Sequence, residues 1–201
     1  MIFGIAAFFL LGIERFLYGY IYHFPESFRT ICSTGFLKPL FDYGDREYWQ
    51  VAKYLGMIVK VFQFGVVGYD LLIRCSLRIA PFEALVVGLA LLACGQLLNI
   101  AVFDAIKAKG VYYGTQLGYD VPWCTGFPYN LGIPDPQYWG VVLTVWGVYV
   151  CVSSTTCIVD SCYIVPWLET FWYITSMKLL ESTDNGEAVL GSLGLKQKKG
   201  Q

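Results

Sequence analysis

Charged residues are scarce in this sequence. Only 14% of its 201 residues are Asp, Glu, Lys or Arg, whereas 56% are hydrophobic and 17% aromatic. An average soluble domain carries about 25% charged residues, so this shortage argues against a freely soluble globule. The high hydrophobicity also excludes intrinsic disorder. The net charge of −1 provides no general basic field, and we therefore expect no nucleic acid partner.

Residues for several common kinds of chemistry are also missing. The single histidine, His23, cannot supply a histidine-rich metal shell, and the seven cysteines include no C-x-x-C pair. The sequence contains no Walker loop and no G-x-S-x-G nucleophile elbow. We therefore expect no metal site, no nucleotide hydrolysis and no serine-hydrolase chemistry.

Long apolar stretches are what the sequence has instead. Five of them have about the length that crosses a bilayer, namely residues 1–22, 51–73, 83–105, 138–159 and 162–180. Helices are expected, because lipid offers no hydrogen-bond partner to an open strand edge. The first stretch has no basic segment before it and contains Glu14 and Arg15, so we expect a span rather than a signal peptide. Charges at such depth are expected to face the bundle interior or the interface.

These stretches predict an all-α fold, a polytopic membrane helix bundle of four to five spans in one domain covering residues 1–201. Only Asp160 and Ser161 separate the last two stretches, which favours a tight helical hairpin over one helix twice as long as the membrane is thick. The fifth stretch either crosses fully or forms a re-entrant arm, and residues 181–201 form a tail.

The distribution of Lys and Arg orients the predicted bundle, because cytosolic loops carry the excess of basic residues. With five spans and a cytosolic C-terminus, the opposite side holds only Arg74 and Arg78. Ten basic residues are cytosolic: Arg29, Lys38, Arg46, Lys53, Lys107, Lys109, Lys178, Lys196, Lys198 and Lys199. Lys198 and Lys199, near the end of the sequence, resemble a dilysine retrieval signal, so we expect the endoplasmic reticulum membrane.

Residues 88–140 combine many glycines and prolines with interleaved aromatic residues. One interpretation is a stiff interfacial loop, with Trp and Tyr at the level of the lipid headgroups. The other is a ligand pocket at the cytosolic interface, since glycine permits close backbone approach and aromatic faces suit a cation. Hydropathy alone also leaves a small membrane transporter open, although no inverted repeat is visible between the two halves.

Four motifs in this region occur together, in one order and at fixed spacing. They are Gly95-Gln96-x-Leu98-Asn99, Gly110-x-Tyr112-Tyr113-Gly114, Pro122-Trp123-x-Thr125-x-Phe127-Pro128 and Asp135-Pro136-Gln137-Tyr138-x-Gly140. With Lys60 and Gln63 in the second span, this pattern resembles the small membrane phospholipid N-methyltransferases, and most closely the plant-type phosphatidyl-N-methylethanolamine N-methyltransferases. The resemblance covers about residues 51–182.

The resemblance implies S-adenosylmethionine (SAM) as the methyl donor, held at two short motifs. A G-x-G motif on the third span falls on Ala93-Cys94-Gly95, where alanine replaces the first glycine. A Glu-Glu motif falls on Glu181-Ser182, where only the first carboxylate is kept. The cofactor-binding residues implied by the resemblance are therefore Ala93, Cys94, Gly95, Glu181 and Ser182.

The implied reaction converts phosphatidyl-N-methylethanolamine and phosphatidyl-N,N-dimethylethanolamine in the bilayer to phosphatidylcholine. The acceptor amine must lose a proton, and Asp135, Tyr138 and Glu181 are candidates for taking it, with Glu181 favoured as a cofactor ligand. Tyr113, Trp123 and Tyr138 are candidates for an aromatic cage around the cationic donor. A methyltransferase that also accepts phosphatidylethanolamine remains an alternative. An isoprenylcysteine carboxyl methyltransferase is a further one, but Asp135 contradicts its Arg-His-Pro-x-Tyr motif.

Overall fold

A computed structural model of the chain describes residues 2–75, 77–122, 124–152, 157–158 and 160–182, and it confirms the all-α fold in this part of the chain. The α-helices in chain order are α1 (Ile2–His23), α2 (Pro25–Ser33), α3 (Lys38–Asp42), α4 (Tyr48–Tyr69), α5 (Phe82–Val111), α6 (Pro136–Val152) and α7 (Ile164–Thr175). A π-helical turn extends α4 over Asp70–Arg74, and another extends α7 over Ser176–Leu180. Short 3₁₀ turns cover Tyr129–Leu131 and Ser161–Tyr163.

Three of these helices are long and apolar enough to cross a membrane. They are α1, α4 with its π-helical turn, and α5; α6 is a shorter apolar helix. Large apolar side chains such as Phe62, Phe64 and Leu72 are exposed along α4 and its π-helical turn. Exposed side chains of this kind suit a lipid environment and not a water-facing surface. The fold is therefore the predicted helical membrane bundle.

The helices α1 and α4 end close to the predicted boundaries, whereas α5 continues past residue 105 to Val111. Within α5, Lys107 has non-helical backbone angles (φ 56°, ψ 174°), two residues beyond the predicted end of the third span. The fourth span was predicted to reach residue 159, but α6 is described as far as Val152, and Cys157 and Ile158 are not helical. The turn between α6 and α7 therefore extends beyond Asp160 and Ser161.

The predicted hairpin of the last two spans is present. The indole of Trp146 donates a hydrogen bond to Thr170 Oγ1 at 2.9 Å. The rings of Tyr138 and Tyr173 lie 5.2 Å apart, and those of Tyr149 and Tyr163 lie 6.2 Å apart. Residues later in α6 thus meet residues earlier in α7, which is the register of an antiparallel pair.

Glycines allow α5 and α6 to pack with their backbones in close contact. A Cβ atom on Gly95 would lie 2.6 Å from the carbonyl oxygen of Gly140 and 2.5 Å from Thr144 Oγ1. One heptad earlier, a Cβ atom on Gly88 would lie 2.9 Å from the carbonyl oxygen of Gly147. Small residues at helix crossings in membranes serve this purpose, because van der Waals packing holds the helices together there.

The close helix pairs give the bundle order α4, α1, α7, α6, α5. At one end, α2, α3 and residues 112–119 pack over the ends of α1 and α4. Their contact with the bundle is a buried cluster that includes Ile21, Phe28, Val51, Tyr113 and Leu117. This covered end is where α1, α5 and α7 finish and where α4 and α6 begin.

Candidate active site

A cavity of about 520 Å³ opens at the covered end of the bundle. Its wall includes residues from the finishing ends of three helices, namely Tyr22 of α1, Val111 of α5 and Glu181 just after α7. Asp135 lines it from the residue before α6. Segments far apart in the sequence thus converge here, because the antiparallel helices place these ends together.

The carboxylate of Glu181 is the centre of a hydrogen-bond network in the cavity wall. Tyr113 donates its hydroxyl to Glu181 Oε2 at 2.6 Å, and Tyr138 donates to both carboxylate oxygens at 2.6 and 2.7 Å. The two tyrosine hydroxyls lie 3.1 Å apart. Hydrogen bonds to an ionised group are stronger than neutral ones, so this network fixes the position of the carboxylate.

The π-helical turn after α7 explains why Glu181 points into the cavity. The backbone N–H of Glu181 donates to the carbonyl oxygen of Ser176 at 2.9 Å, five residues back, and the Ser176 hydroxyl donates to the Glu181 carboxylate. A π turn contains one residue more than an α turn, which rotates the next side chain by roughly 100° about the helix axis. Ser176 therefore holds Glu181 through both the main chain and the side chain.

Two cavity residues have left-handed backbone conformations that are rare for side chains with a Cβ atom. Tyr113 has a φ of 61° and Asp135 a φ of 46°. Such conformations are uncommon, above all for a bulky aromatic residue, and they cluster at functional sites. The surrounding contacts hold Tyr113 in place, since its ring is buried and its hydroxyl is bonded to Glu181.

The environment also shifts the acidities of these two groups. Burial, and then the neighbouring Glu181 charge, raises the pKa of Tyr113 well above its ordinary value, so this residue remains a neutral hydroxyl donor. Asp135 is accessible through the cavity that it lines, but the surrounding protein and then the Glu181 carboxylate raise its pKa. A carboxyl group with a raised pKa accepts a proton more readily near neutral pH.

A buried ionic cluster forms the deeper wall of the cavity. Glu14 Oε2 lies 2.7 Å from Arg15 Nη2 and 2.6 Å from Lys60 Nζ. The Arg15 guanidinium lies over the rings of Tyr138 and Tyr173, at 4.9 and 4.4 Å from their centroids. The prediction that the charges of the first span face the interior is thus confirmed.

The residues predicted from the sequence fall into two groups. Asp135, Tyr138 and Glu181 all line the cavity. Gly95 instead faces α6 at the helix crossing, Ala93 and Cys94 are exposed on α5, and none of the three lines the cavity.

The other predicted residues are placed as follows. Ser182 follows Glu181 without being a lining residue. Tyr113, a predicted cage residue, lines the cavity. Trp123 lies outside the described residues, as do Lys198 and Lys199.

Several cavity residues were missed by reasoning from the sequence. The Glu14–Arg15 pair carried a signal, because ionisable residues inside a span mark functional sites by default. Lys60 was noted only as part of the family resemblance. Tyr173 lines the cavity and Ser176 holds Glu181, but neither carried a signal in the sequence.

Comparison with known proteins gives matches for about half of the chain. Residues 84–183 match the family model described as phospholipid methyltransferase. The chain is 36% identical over 98 residues to the phosphatidyl-N-methylethanolamine N-methyltransferase of Arabidopsis thaliana, covering 49% of this chain and 53% of that protein. It is 32% identical over 97 residues to the enzyme of the same name from Emericella nidulans, covering 46% and 47%. The chain thus spans about half the length of these curated relatives, and no solved structure matches it.

Proposed function

We propose that this chain, which belongs to the phospholipid methyltransferase family, uses SAM to convert phosphatidyl-N-methylethanolamine and phosphatidyl-N,N-dimethylethanolamine to phosphatidylcholine. One observation carries the proposal. Asp135, Tyr138 and Glu181, all within the family-matching region, line one cavity at the end of an apolar helical bundle. Such a cavity would be accessible both to a soluble cofactor and to a lipid headgroup.

The residues of the cavity fit SAM. Its volume of about 520 Å³ lies within the range of about 300–1,000 Å³ that is usual for small-ligand sites. Glu181 would hold the ammonium group or the ribose hydroxyls of the cofactor, and the rings of Tyr113 and Tyr138 would face its positive charge. SAM supplies an electrophilic methyl group on a sulfonium. We propose that Gly95, with Ala93 and Cys94 beside it, contributes to the site indirectly, because it lets α5 pack closely against α6. Ser182 directly follows Glu181, the residue that would hold the cofactor.

Asp135 is the residue that we propose as the proton acceptor. The lipid amine is mostly protonated near neutral pH and must lose a proton to become a nucleophile. The Glu181 carboxylate already accepts hydrogen bonds from Tyr113, Tyr138 and Ser176. The Asp135 carboxylate accepts none within the described part of the chain, and its raised pKa favours proton uptake. Tyr138 would position Glu181 and take part in the cage.

The lipid is proposed to enter from the side of the bundle. Lys60 of α4 and Asn99 and Phe103 of α5 all line the cavity. However, α4 and α5 are not among the closely packed helix pairs of the described chain. The cavity therefore separates these two helices, and the gap between them would admit a headgroup from the leaflet. Much of the rate would then come from alignment of the amine with the methyl donor.

The proposed location is the endoplasmic reticulum membrane, with the cavity and the C-terminal tail facing the cytosol. The basic residues support this orientation, since ten of the fourteen fall on that side of the predicted topology. Lys198 and Lys199 would act there as a dilysine retrieval signal. SAM is a cytosolic metabolite, so the orientation would give it direct access to the cavity.

The test is to incubate membranes containing the chain with radiolabelled SAM and one acceptor lipid at a time. We expect label in phosphatidylcholine with the mono- and dimethylated acceptors and little with phosphatidylethanolamine. Equal labelling with phosphatidylethanolamine would extend the substrate range to the first methylation. An absence of label in every phospholipid, with folded protein present, would refute the proposal.

A further inference from the structure

The guanidinium of Arg15 has an unused donor at the cavity wall. The side chain is only 3% exposed, and Nη2 contacts Glu14 Oε2 at 2.7 Å. The other terminal nitrogen, Nη1, is buried and has no hydrogen-bond partner within the described residues. Leaving a buried donor of a charged group unpaired is costly in free energy. Because Arg15 lines the cavity, a ligand that fills it can supply the missing acceptor.

The surroundings of Arg15 fix the guanidinium without satisfying it. Its Cζ atom lies 5.0 Å from the Tyr18 ring centroid, 4.9 Å from that of Tyr138 and 4.4 Å from that of Tyr173. Ring faces attract the cation but accept no hydrogen bond in the plane of the guanidinium. Glu14 also pairs with Lys60 at 2.6 Å, so its carboxylate is shared between two cations. The result is a rigid, planar donor of the kind that binds carboxylates and phosphates.

Arg15 and Glu181 both contact the same tyrosine, Tyr138. The guanidinium lies over the face of the Tyr138 ring, and the Glu181 carboxylate accepts a hydrogen bond from the Tyr138 hydroxyl at 2.6 Å. Both charged groups line the same cavity. A fixed cation and a fixed anion that contact one tyrosine and line one cavity match a ligand that carries an oxyanion and an ammonium a few bonds apart.

We propose that Arg15 binds the oxyanion of a zwitterionic ligand whose ammonium end faces Glu181. This inference rests on the proposed function, in which both ligands are zwitterions. The amino-acid end of SAM carries a carboxylate beside its ammonium, and the lipid headgroup carries a phosphodiester near its amine. Both ligands would bring an oxyanion within reach of Arg15 Nη1, and the experiment distinguishes the cofactor carboxylate from the lipid phosphodiester.

The variants for the test are Arg15→Gln and Arg15→Lys, in full-length chain purified in detergent. Arg15→Gln removes the cation but leaves Glu14 paired with Lys60, so no buried carboxylate is left without a partner. Arg78→Gln is the matched control, because Arg78 is exposed and lies on the far side of the bundle. Near-ultraviolet circular dichroism establishes that each variant is folded.

The probes are S-adenosylhomocysteine, decarboxylated SAM, and phosphatidyl-N-methylethanolamine in mixed micelles. If Arg15 binds the cofactor carboxylate, Arg15→Gln weakens S-adenosylhomocysteine binding by about 10- to 100-fold, and the affinity for decarboxylated SAM stays unchanged. If it binds the lipid phosphodiester, the KM for the lipid rises by a similar factor and the S-adenosylhomocysteine affinity is unchanged. Arg15→Lys should lie between wild type and Arg15→Gln, because it keeps the charge and loses the planar fork.

Either result supports the proposal, and which of the two is observed identifies the oxyanion. The proposal is overturned if folded Arg15→Gln matches wild type and Arg78→Gln in both affinity and KM. If the wild type methylates lipid, that outcome would overturn the role of Arg15 and leave the proposed methyltransferase function intact. Conversely, a wild type that methylates no lipid but binds S-adenosylhomocysteine in an Arg15-dependent way would refute the function and retain the oxyanion site.

Discussion

The contact between α5 and α6 at Gly95 can be tested by adding a single methyl group. In Gly95→Ala, the new Cβ would lie 2.6 Å from the carbonyl oxygen of Gly140 and 2.8 Å from the backbone nitrogen of Thr144. These are backbone atoms, so no side-chain rotation relieves the clash. Restoring ordinary van der Waals separation requires the helices to move apart by roughly 0.8 Å.

The expected cost follows from overpacking of a tight contact. Insertions of this kind cost about 1–3 kcal/mol, which corresponds to a fall in Tm of about 2–12 °C for a chain of this size. The matched control is Gly65→Ala in the last third of α4, where a Cβ would meet nothing within 4 Å. That control should be as stable as wild type or more so, because alanine favours the helix by about 0.5–1 kcal/mol.

The assay is thermal unfolding of both variants in the same detergent, combined with S-adenosylhomocysteine binding well below the Tm. We expect Gly95→Ala to unfold at a lower temperature than wild type. Well below the Tm, its affinity for S-adenosylhomocysteine should fall much less than it would if the new methyl group blocked the cofactor directly. A Tm equal to that of Gly65→Ala together with a large loss of affinity would refute the reasoning. It would mean that Gly95 contacts the cofactor and is not primarily a packing residue.

Two further variants test the cavity itself. Glu181→Gln keeps the shape of the side chain but removes its charge, and should weaken SAM binding by about 10- to 100-fold with little change in lipid KM; an unchanged affinity with reduced turnover would instead make Glu181 a catalytic group. Asp135→Asn should lower kcat by about 10²- to 10⁴-fold. Wild-type activity should rise as the pH passes the raised pKa of Asp135, because the carboxylate must be ionised to accept a proton. The pH profile of Asp135→Asn should lack this rise. Because a raised folded-state pKa makes ionisation unfavourable, Asp135→Asn should be at least as stable as wild type at neutral pH, and a lower Tm there would contradict this reasoning.

Hydropathy predicted the long helices well, because a span must be apolar along its whole length. The helices over 2–23, 48–74 and 82–111 lie within a few residues of the predicted spans, apart from the helical turn that follows the break at Lys107. The end of the fourth span was less predictable. Ser153, Ser154, Thr155 and Thr156 form a polar run inside the predicted fourth span, but hydroxyl residues are tolerated in a membrane helix, so this run did not set the predicted boundary.

The site was predictable only where a residue type carries its own chemical signal. Asp135, Tyr138 and Glu181 were candidates because they lie in the motifs that carry the family resemblance and can accept a proton, and all three line the cavity. The position of Gly95 could not be inferred, because a glycine looks the same in sequence whether its neighbour is a ligand or another helix. Arg15 was expected to face inward, but its closeness to Tyr138 depends on the pairing of α1 with α7, which no local pattern encodes.

The π-helical turn over Ser176–Leu180 makes the length of this segment part of the site. Removing one residue from it would restore an ordinary α-helical turn without changing the apolar character of the helix. Glu181 would then leave the cavity, since each residue accounts for roughly 100° of helix rotation. Substitutions after Ser176 in this turn therefore leave the spacing intact, whereas an insertion or deletion there would separate the carboxylate from both tyrosines at once.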